Sequence, residues 1–297
     1  MSERPLTECR AHRYRVVDVF TETPLEGNPV AVFPASADLD AQVMQAIARE
    51  LNLAETVFVC PATRVGCAVR LRIFTPAREM AFAGHPTIGT SWVLQAEGIL
   101  ASNSERFLLD EGIGAIPIRT ERGTPSLIWL STPPVRTGQR YEPALCARLL
   151  GLDTGDLLDL PPQWVSAGNP IAVIAVKSTE AVDRAWLDRA GQQALQAPDD
   201  TPVCAYVFAP VPDGAYGRMF APMLGVPEDP ATGSAMGPLA TFMMQHDLVA
   251  RGVRFRCEQG TKMGRRSILH VQTGAAENAP IDVGGSVVPV TEAVMTL

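Results

Sequence analysis

Two long apolar segments constrain the fold of this chain more than any other feature of its sequence. The first, Phe82–Leu94, contains a Gly-His-Pro turn, and no charged side chain follows before Glu97. The second begins after Glu228 and Asp229 and carries no charge before Asp247. A helix that is apolar on all sides belongs inside a protein rather than on its surface. We therefore expect two buried helices, each beginning at a polar turn.

The starts of these helices are suited to binding an anion or a substrate carboxylate. Backbone N–H groups in a first helical turn lack partners, and small residues such as Gly84 and Gly233 let a ligand approach them. The starts are about 150 residues apart in a chain of 297 residues, which suggests one buried helix per domain. If the two starts face each other, the binding site lies between the domains.

Both turns could instead be ordinary helix starts with no role in function. Their polar content favours a site, since His85 lies in the first turn while Glu228, Asp229, Thr232 and Ser234 lie in the second. The two hydroxyl residues are also expected to cap the second helix, because such side chains accept hydrogen bonds from first-turn N–H groups.

The composition favours a small molecule as the main partner. A hydrophobic fraction of 46% is enough for two cores without support from a metal or a disulfide. Lysine and arginine together number 25 against 32 acidic residues, which gives a net charge of -7. Nucleic acids and anionic membrane surfaces call for a basic face on the protein, so this balance argues against both.

Six cysteines are spread singly along the chain without any Cys-x-x-Cys pair. They are Cys9, Cys60, Cys67, Cys146, Cys204 and Cys257. We expect free thiols in a reducing compartment, with no metal site and no disulfide framework. Residues 1–13 mix acidic and basic side chains without an apolar core, unlike a signal peptide, and no apolar run is long enough to cross a bilayer. These features predict a cytoplasmic protein.

Hydrophobic periodicity predicts strands interrupted by a few helices. A helix capped by Asp38 or Asp40 is expected to end at Asn52, and another helix is expected over Val182–Ala190. The proline cluster Ser131–Pro134 suits a linker between domains.

Each half of the chain shows the same order of strands, a peripheral helix, further strands, a buried helix and closing strands. The chain is therefore predicted to be of mixed α/β class with two similar domains. We expect the N-terminal domain to span residues 1–130 and the C-terminal domain residues 131–283.

Four motifs, in order along the chain, carry a resemblance to a known family. They are Val17–Thr21 together with Gly27–Pro29, then Asn52–Thr56, Phe82–Thr87 and Glu228–Ala235. Together they resemble the PhzF family, the phenazine-biosynthesis-like isomerases. The resemblance extends from Tyr14 to the C-terminus.

This resemblance implies the diaminopimelate-epimerase-like fold. In that fold each of two similar domains wraps a mixed sheet around one central helix, and the ligand binds where the helix starts converge. The last strand, within residues 284–297, is expected to cross back and complete the N-terminal domain. Family members are commonly homodimers, so a homodimer is expected here.

The resemblance also implies a reaction and the residues that carry it. It places the acid/base group on Glu55, with His85 and Asp229 as catalytic partners. It assigns substrate binding to neighbouring residues, namely Asn28, Gly84, Thr232, Gly233 and Ser234. In the phenazine enzyme a proton shifts on dihydro-hydroxyanthranilate, and tautomerisation to a ketone follows, without a cofactor or a metal.

Glu55 can perform this chemistry only if its pKa is raised towards neutrality, so that both protonation states are reached during turnover. Its neighbours Leu53, Ala54, Val57 and Phe58 supply an apolar setting. From the residues alone, a solvated glutamate at the end of a strand is the more common situation.

Other candidate residues also have ordinary alternatives. His85 could be a satisfied or capping histidine, and Asp229 could be a helix-start aspartate favoured by the helix dipole. The cluster of Lys262, Arg265 and Arg266 is expected to be a solvated loop, and the alternative is that it attracts anionic substrates.

Two rival functions remain open at this point. A racemase of the same fold that uses two thiols is disfavoured, since neither helix start has a cysteine nearby in sequence. A two-base epimerase that uses Glu55 with Asp229 or His85 stays possible. The second rival is a non-catalytic small-molecule binding or interaction protein, which the presence of three titratable residues opposes.

Overall fold

A computed structural model describes residues 10–195, 197, 201–276 and 279–297. Within these residues the strands form one continuous mixed sheet of eighteen strands, accompanied by six α-helices. The predicted mixed α/β class is confirmed.

The first half of the chain supplies eight strands and two helices. The strands are β1 Ala11–Val19, β2 Asn28–Phe33, β3 Glu55–Cys60, β4 Arg70–Phe74, β5 Glu79–Met80, β6 Arg106–Glu111, β7 Gly114–Glu121 and β8 Leu127–Ser131, and the helices are α1 Ala41–Leu51 and α2 Gly84–Ala96.

The second half supplies the remaining elements that the structure describes. The strands are β9 Arg136–Arg140, β10 Gln163–Ser166, β11 Pro170–Ala175, β12 Cys204–Val211, β13 Gly214–Ala221, β14 Val226–Asp229, β15 Arg254–Gln259, β16 Ser267–Gln272, β17 Asp282–Gly285 and β18 Val287–Thr296, and the helices are α3 Pro143–Leu149, α4 Thr179–Arg184, α5 Arg189–Ala194 and α6 Gly233–Gln245.

Each half contains a pair of parallel strands joined through peripheral helices. In the first half β2 runs parallel to β3, and α1 connects them. In the second half β11 runs parallel to β12, and α4 and α5 lie between them in the chain. Parallel neighbours need such a crossover, so the shared order of elements noted in the sequence corresponds to a shared strand topology.

Helix α1 begins and ends where its sequence predicts. The side chain of Asp40 accepts hydrogen bonds from the backbone N–H groups of Gln42 and Val43, which fixes the start. Asn52 adopts a left-handed conformation with φ of 51°, which ends the helix.

The two apolar segments form the buried helices α2 and α6, as expected. Residues 84–91 of α2 and 235–240 of α6 are buried without interruption. Both helices contribute to the same large hydrophobic core, together with strands from both halves of the chain. Their position inside the protein explains why neither segment contains a charge.

The C-terminal strand returns to the first half of the chain. β18 pairs antiparallel with β1 from Ala11 opposite Thr296 to Val19 opposite Val287. β1 also pairs with β2, so the strand that closes the chain extends the N-terminal part of the sheet. The return implied by the family resemblance is present, while the exact domain boundaries remain a prediction.

The prediction of a single helix over Val182–Ala190 is wrong. Helix α4 ends at Arg184, and α5 starts again after Asp188, whose side chain accepts a hydrogen bond from the N–H of Gly191. The guanidinium of Arg218 binds the carbonyl oxygens at the end of α4, including that of Ala185 at 2.6 Å. These carbonyls are therefore satisfied without a continuing helix.

The cysteines that the structure describes are free. Cys60 and Cys67 are partly exposed, whereas Cys146, Cys204 and Cys257 are buried. Cys9 and the rest of residues 1–9 lie outside the described residues, so the expectations about them stay predictions. In the described part of the chain, no helix has both the length and the apolar character needed to span a membrane.

Candidate active site

Three distant chain positions meet where the buried helices begin. Glu55 opens strand β3, His85 is the second residue of α2, and Asp229 closes strand β14 just before α6. A carboxylate oxygen of Glu55 lies 3.4 Å from Nε2 of His85. Asn28 connects His85 to Asp229, because its Nδ2 lies 3.2 Å from Nδ1 of His85 and 2.7 Å from Oδ1 of Asp229.

Glu55 lies in a largely dry setting. Only 17% of its side chain is exposed, and its Oε2 has no hydrogen-bond partner within the described protein. Burial raises the pKa of Glu55 well above its usual value, and the negative charge of Asp229 raises it further. The solvated-glutamate alternative therefore does not describe this residue.

His85 is a buried, neutral imidazole. Its side chain is 4% exposed. Burial lowers the pKa of His85 to about 3, although hydrogen bonding to the carbonyl of Pro29 acts in the opposite direction. Its Nε2, on the side facing Glu55, has no hydrogen-bond partner within the described protein. Nε2 is therefore available to form a hydrogen bond with a ligand or with Glu55.

Asp229 is held by donors on both of its oxygens. Oδ1 accepts from Asn28, and Oδ2 accepts from the hydroxyl of Thr232. Burial raises the pKa of Asp229 to about 6, and these hydrogen bonds limit the rise. At neutral pH Asp229 is thus mainly ionised, and its negative charge adds to the effect of burial in favouring the protonated form of Glu55.

Asn28 organises the site through a single amide group. Its Nδ2 contacts His85 and Asp229, and it also donates to the carbonyl oxygen of Ala231 at 2.9 Å. The side chain is fully buried, yet its Oδ1 has no partner in the described part of the chain. Asn28 therefore joins residues from both halves of the protein and keeps one acceptor free.

The starts of α2 and α6 touch at two glycines. A Cβ atom added to Gly84 would lie 2.6 Å from the backbone N of Ser234 and 2.7 Å from Cα of Gly233. Glycine is needed at this position because any side chain would push the two helix starts apart. The first turns of the two helices are therefore in direct contact.

The prediction that hydroxyl side chains cap the start of α6 is wrong. Thr232 occupies the N-cap position, but its side chain accepts no capping hydrogen bond. Its hydroxyl donates to Asp229 instead, and its oxygen accepts from Nε2 of Gln259. Ser234 lies one residue inside the helix and is partly exposed, so it does not occupy the cap either.

One organising residue gave no signal in the sequence. Gln259, at the end of β15, is fully buried. Its Nε2 donates to the carbonyl of Asp229 at 2.6 Å and to the hydroxyl of Thr232 at 3.0 Å, while its Oε1 accepts from the phenol of Tyr206 at 3.1 Å. A glutamine within a strand has no local pattern that marks such a role.

The basic cluster is only partly the solvated loop expected from sequence. Arg265 pairs with the buried Asp18 at 2.6 Å and donates to the carbonyls of Glu26 and Gly27. This arginine therefore fixes the turn that precedes Asn28. Arg266 and Lys262 form ion pairs with Glu258 and Asp183, respectively.

Glu228, next to Asp229 in sequence, belongs to a different interaction. It forms a buried ion pair with Arg218 at 2.8 Å, and both side chains are about nine-tenths buried.

Among the described residues, no group of three or more potential ligands is arranged to hold a metal ion.

The site has the chemistry of an acid/base pocket. A carboxyl with a raised pKa, a neutral imidazole and a second carboxyl lie together where the two buried helices begin. Buried polar atoms normally have partners, so the free Oδ1 of Asn28, Oε2 of Glu55 and Nε2 of His85 indicate a position for a polar ligand. Such a ligand could exchange a proton with Glu55 at close range.

Sequence comparison gives a family that matches most of the chain. Residues 17–293 match the PhzC-PhzF family, described as phenazine biosynthesis-like protein. The chain is 36% identical over 279 residues to the trans-2,3-dihydro-3-hydroxyanthranilate isomerase of Pseudomonas aeruginosa, covering 93% of this chain and 96% of that relative.

Solved structures share the fold. A PhzF-family phenazine biosynthesis protein of Bacillus anthracis matches with a TM-score of 0.85 at 23% identity, covering 97% of this chain and 100% of that one. A hydroxyproline epimerase of Agrobacterium vitis matches with a TM-score of 0.66 at 13% identity, covering 97% and 93%. These likenesses confirm the epimerase-like architecture expected from the sequence.

Proposed function

The chain belongs to the PhzC-PhzF family and is an isomerase, and we propose that Glu55 moves a proton on a small, anthranilate-like amino acid bound between the helix starts. The observation that carries this proposal is the 3.4 Å approach of Oε2 of Glu55 to Nε2 of His85, two buried atoms that form no hydrogen bond within the described protein. A bound substrate would supply the missing hydrogen bonds.

Glu55 acts first as a base and then as an acid. Its raised pKa brings the protonated and ionised forms closer in free energy at neutral pH, as a proton shuttle requires. One carboxyl suffices if the proton leaves one ring carbon and returns to another on the same face. The reaction then needs no cofactor, because no electrons are exchanged with another molecule.

Neutral His85 and ionised Asp229 have different tasks. His85 holds a substrate hydroxyl or carries a proton beside Glu55. Asp229 keeps negative charge in the pocket, which favours a protonated substrate amine and prevents Glu55 from becoming too weak a base. Asn28 keeps these two residues in a fixed relation.

The substrate carboxylate is expected at the helix starts. Amides near Gly84 and Gly233 supply hydrogen-bond donors, and the positive ends of both helix dipoles favour an anion there. The partly exposed hydroxyl of Ser234 adds a donor, whereas the hydroxyl of Thr232 is engaged by Asp229 and shapes the site indirectly.

We also propose two domains and a cytoplasmic homodimer. The pairing of β18 with β1 supports an N-terminal domain of residues 1–130 completed by residues 284–297, with residues 131–283 as the second domain. β18 exposes Val290 and Val294, which would be covered at an interface between two copies.

A two-base epimerase is the second candidate. Its support is that Glu55 and Asp229 are both buried carboxyls with raised pKa values in one pocket. In that case Asp229 would itself transfer a proton from the opposite face of the substrate. Since the chain is an isomerase, a non-catalytic binding protein is not retained as a candidate.

The proposal predicts that Glu55→Gln lowers turnover of trans-2,3-dihydro-3-hydroxyanthranilate by about 1,000-fold, because the amide cannot exchange a proton with the ring. Steady-state assays would compare this variant with Glu50→Gln, a matched change of an exposed glutamate on α1. The control should keep the wild-type rate. Similar rates for both variants would contradict the role of Glu55.

A further inference from the structure

Glu111 is a buried carboxyl outside the proton-transfer pocket. It ends strand β6 and is fully shielded from solvent. Its Oε1 lies 2.5 Å from the hydroxyl of Thr87, and its Oε2 has no hydrogen-bond partner within the described protein. A carboxyl at such a depth needs a structural or functional reason, because burial without full hydrogen bonding is costly.

The residues that Glu111 holds lie just before and just after His85 in the chain. The carboxyl contacts the hydroxyl of Thr87, two residues after His85, and that hydroxyl in turn contacts the carbonyl oxygen of Ala83, two residues before His85. The following turn is also attached to this segment, since the N–H of Ile113 donates to the carbonyl of Ala81. Glu111 thus holds both ends of the helical turn that carries His85.

The hydrogen-bond distances around Thr87 favour a protonated Glu111. The Thr87 hydroxyl has a single proton, yet it lies 2.6 Å from the carbonyl oxygen of Ala83 as well as 2.5 Å from Oε1 of Glu111. Both contacts become hydrogen bonds only if the carboxyl donates to Thr87 while Thr87 donates to Ala83. An ionised Glu111 would break this chain.

We propose that Glu111 is a positioning residue, which in its neutral form fixes the first turn of α2 and the place of His85, and that its ionisation sets the upper pH limit of the reaction. Ionisation would leave a buried charged oxygen without a donor, and the turn would have to move to hydrate it. A small displacement of His85 from Glu55 is enough to reduce the rate.

The surrounding charges agree with this assignment. Burial raises the pKa of Glu111 to about 8, with a further rise from the charge of Asp110. Arg64 does not neutralise Glu111, since its guanidinium pairs with Asp110 and donates to the backbone carbonyl of Glu111. The only titratable side chain on α2 is His85, which stays neutral.

The first test is a pH profile, and it rests on the proposed function because it uses trans-2,3-dihydro-3-hydroxyanthranilate as substrate. Wild-type kcat/KM should fall about tenfold per pH unit above a pH of about 8. This fall, the basic limb of the pH profile, should be absent in Glu111→Gln, because the amide cannot ionise. Persistence of the limb at the same pH in that variant would overturn the inference.

A second variant keeps the test decisive if Glu111→Gln folds poorly. Thr87→Val removes the hydroxyl that accepts the proton of neutral Glu111, so the protonated form loses stability and the fall in rate should begin at lower pH. Thr87→Ser keeps the hydroxyl and should keep the limb in place. A limb that moves equally in both variants, or in neither, would contradict the role of this hydrogen bond.

A stability measurement separates this inference from the proposed function. Folded Glu111 keeps its proton up to a pH of about 8, whereas the unfolded chain loses it near the ordinary value of 4.5, so ionisation destabilises the wild type as pH rises between them. The Tm of Glu111→Gln minus that of the wild type should therefore increase from pH 5 to pH 8. A Tm difference that stays constant from pH 5 to pH 8 would refute the raised pKa of Glu111 in the folded protein. This result would hold even if the chosen substrate is not turned over.

Discussion

Glu55 and Asp229 share one buried site, and the cost of two negative charges there determines how each carboxyl behaves. Burial raises both pKa values, and the charge of Asp229 adds to the rise at Glu55. As pH increases through the pKa of Glu55, the residue loses its proton and becomes able to act as a base. Under the proposed function, we therefore expect the charge of Asp229 to set the pH at which the rate rises on the acid side of the profile.

Replacing Asp229 by Asn should move this acid limb to lower pH. The variant removes the negative charge that raises the pKa of Glu55, so Glu55 ionises more readily. We also expect kcat to fall by about 10- to 100-fold, because the substrate amine loses a charged partner. The measurement is kcat/KM against pH for both proteins. A limb that stays in place or moves to higher pH would show that the charge of Asp229 does not act on Glu55.

At the residue scale, the motifs predicted the meeting of Glu55, His85 and Asp229 because each lies in a recognisable local pattern. Gln259 and Glu111 could not be predicted in this way. Gln259 acts on Asp229 from a strand 30 positions later in the chain, and Glu111 acts on the turn of His85 from a neighbouring strand. Their roles depend on tertiary contacts that leave no periodic signal in the sequence.

At the element scale, the two buried helices position the site because their starts touch. Helix α1 and the central helices were predictable, since apolar periodicity, caps and absent charges are local features. The break between α4 and α5 was not, because Arg218 binds the end of α4 from a strand distant in sequence. A side chain from elsewhere thus replaced the hydrogen bonds of a longer helix.

Gly84→Ala tests the contact between the helix starts. The new Cβ would lie within 2.6 Å of the backbone of Ser234, so the helices must separate. We expect a loss of about 1–3 kcal/mol in the free energy of unfolding, together with reduced turnover, as measured by denaturant unfolding and steady-state kinetics. Gly155→Ala is the control, since its Cβ would meet no atom within 4 Å. Equal stability of the two variants would argue against the close contact.

At the scale of the whole molecule, the site exists only when both halves of the chain are in place. Asn28, Glu55 and His85 come from the first half, while Asp229 and Gln259 come from the second. β18 adds to this dependence, because it carries the C-terminus back to β1. The duplicated order of elements was readable in the sequence. The strand pairing that joins the halves was implied only by the family resemblance, since pairing partners far apart in sequence have no local signature.

The transfer of a ring proton by Glu55 is tested most directly by isotope incorporation. The wild type and Glu55→Gln would be incubated with trans-2,3-dihydro-3-hydroxyanthranilate in deuterated water, and deuterium on the ring carbons would be measured by mass spectrometry and NMR. We predict that the carboxyl of Glu55 exchanges its proton with the solvent between removal and return, so that the wild type incorporates deuterium, and that the variant gives none above the uncatalysed background. Equal incorporation by both proteins would contradict the account.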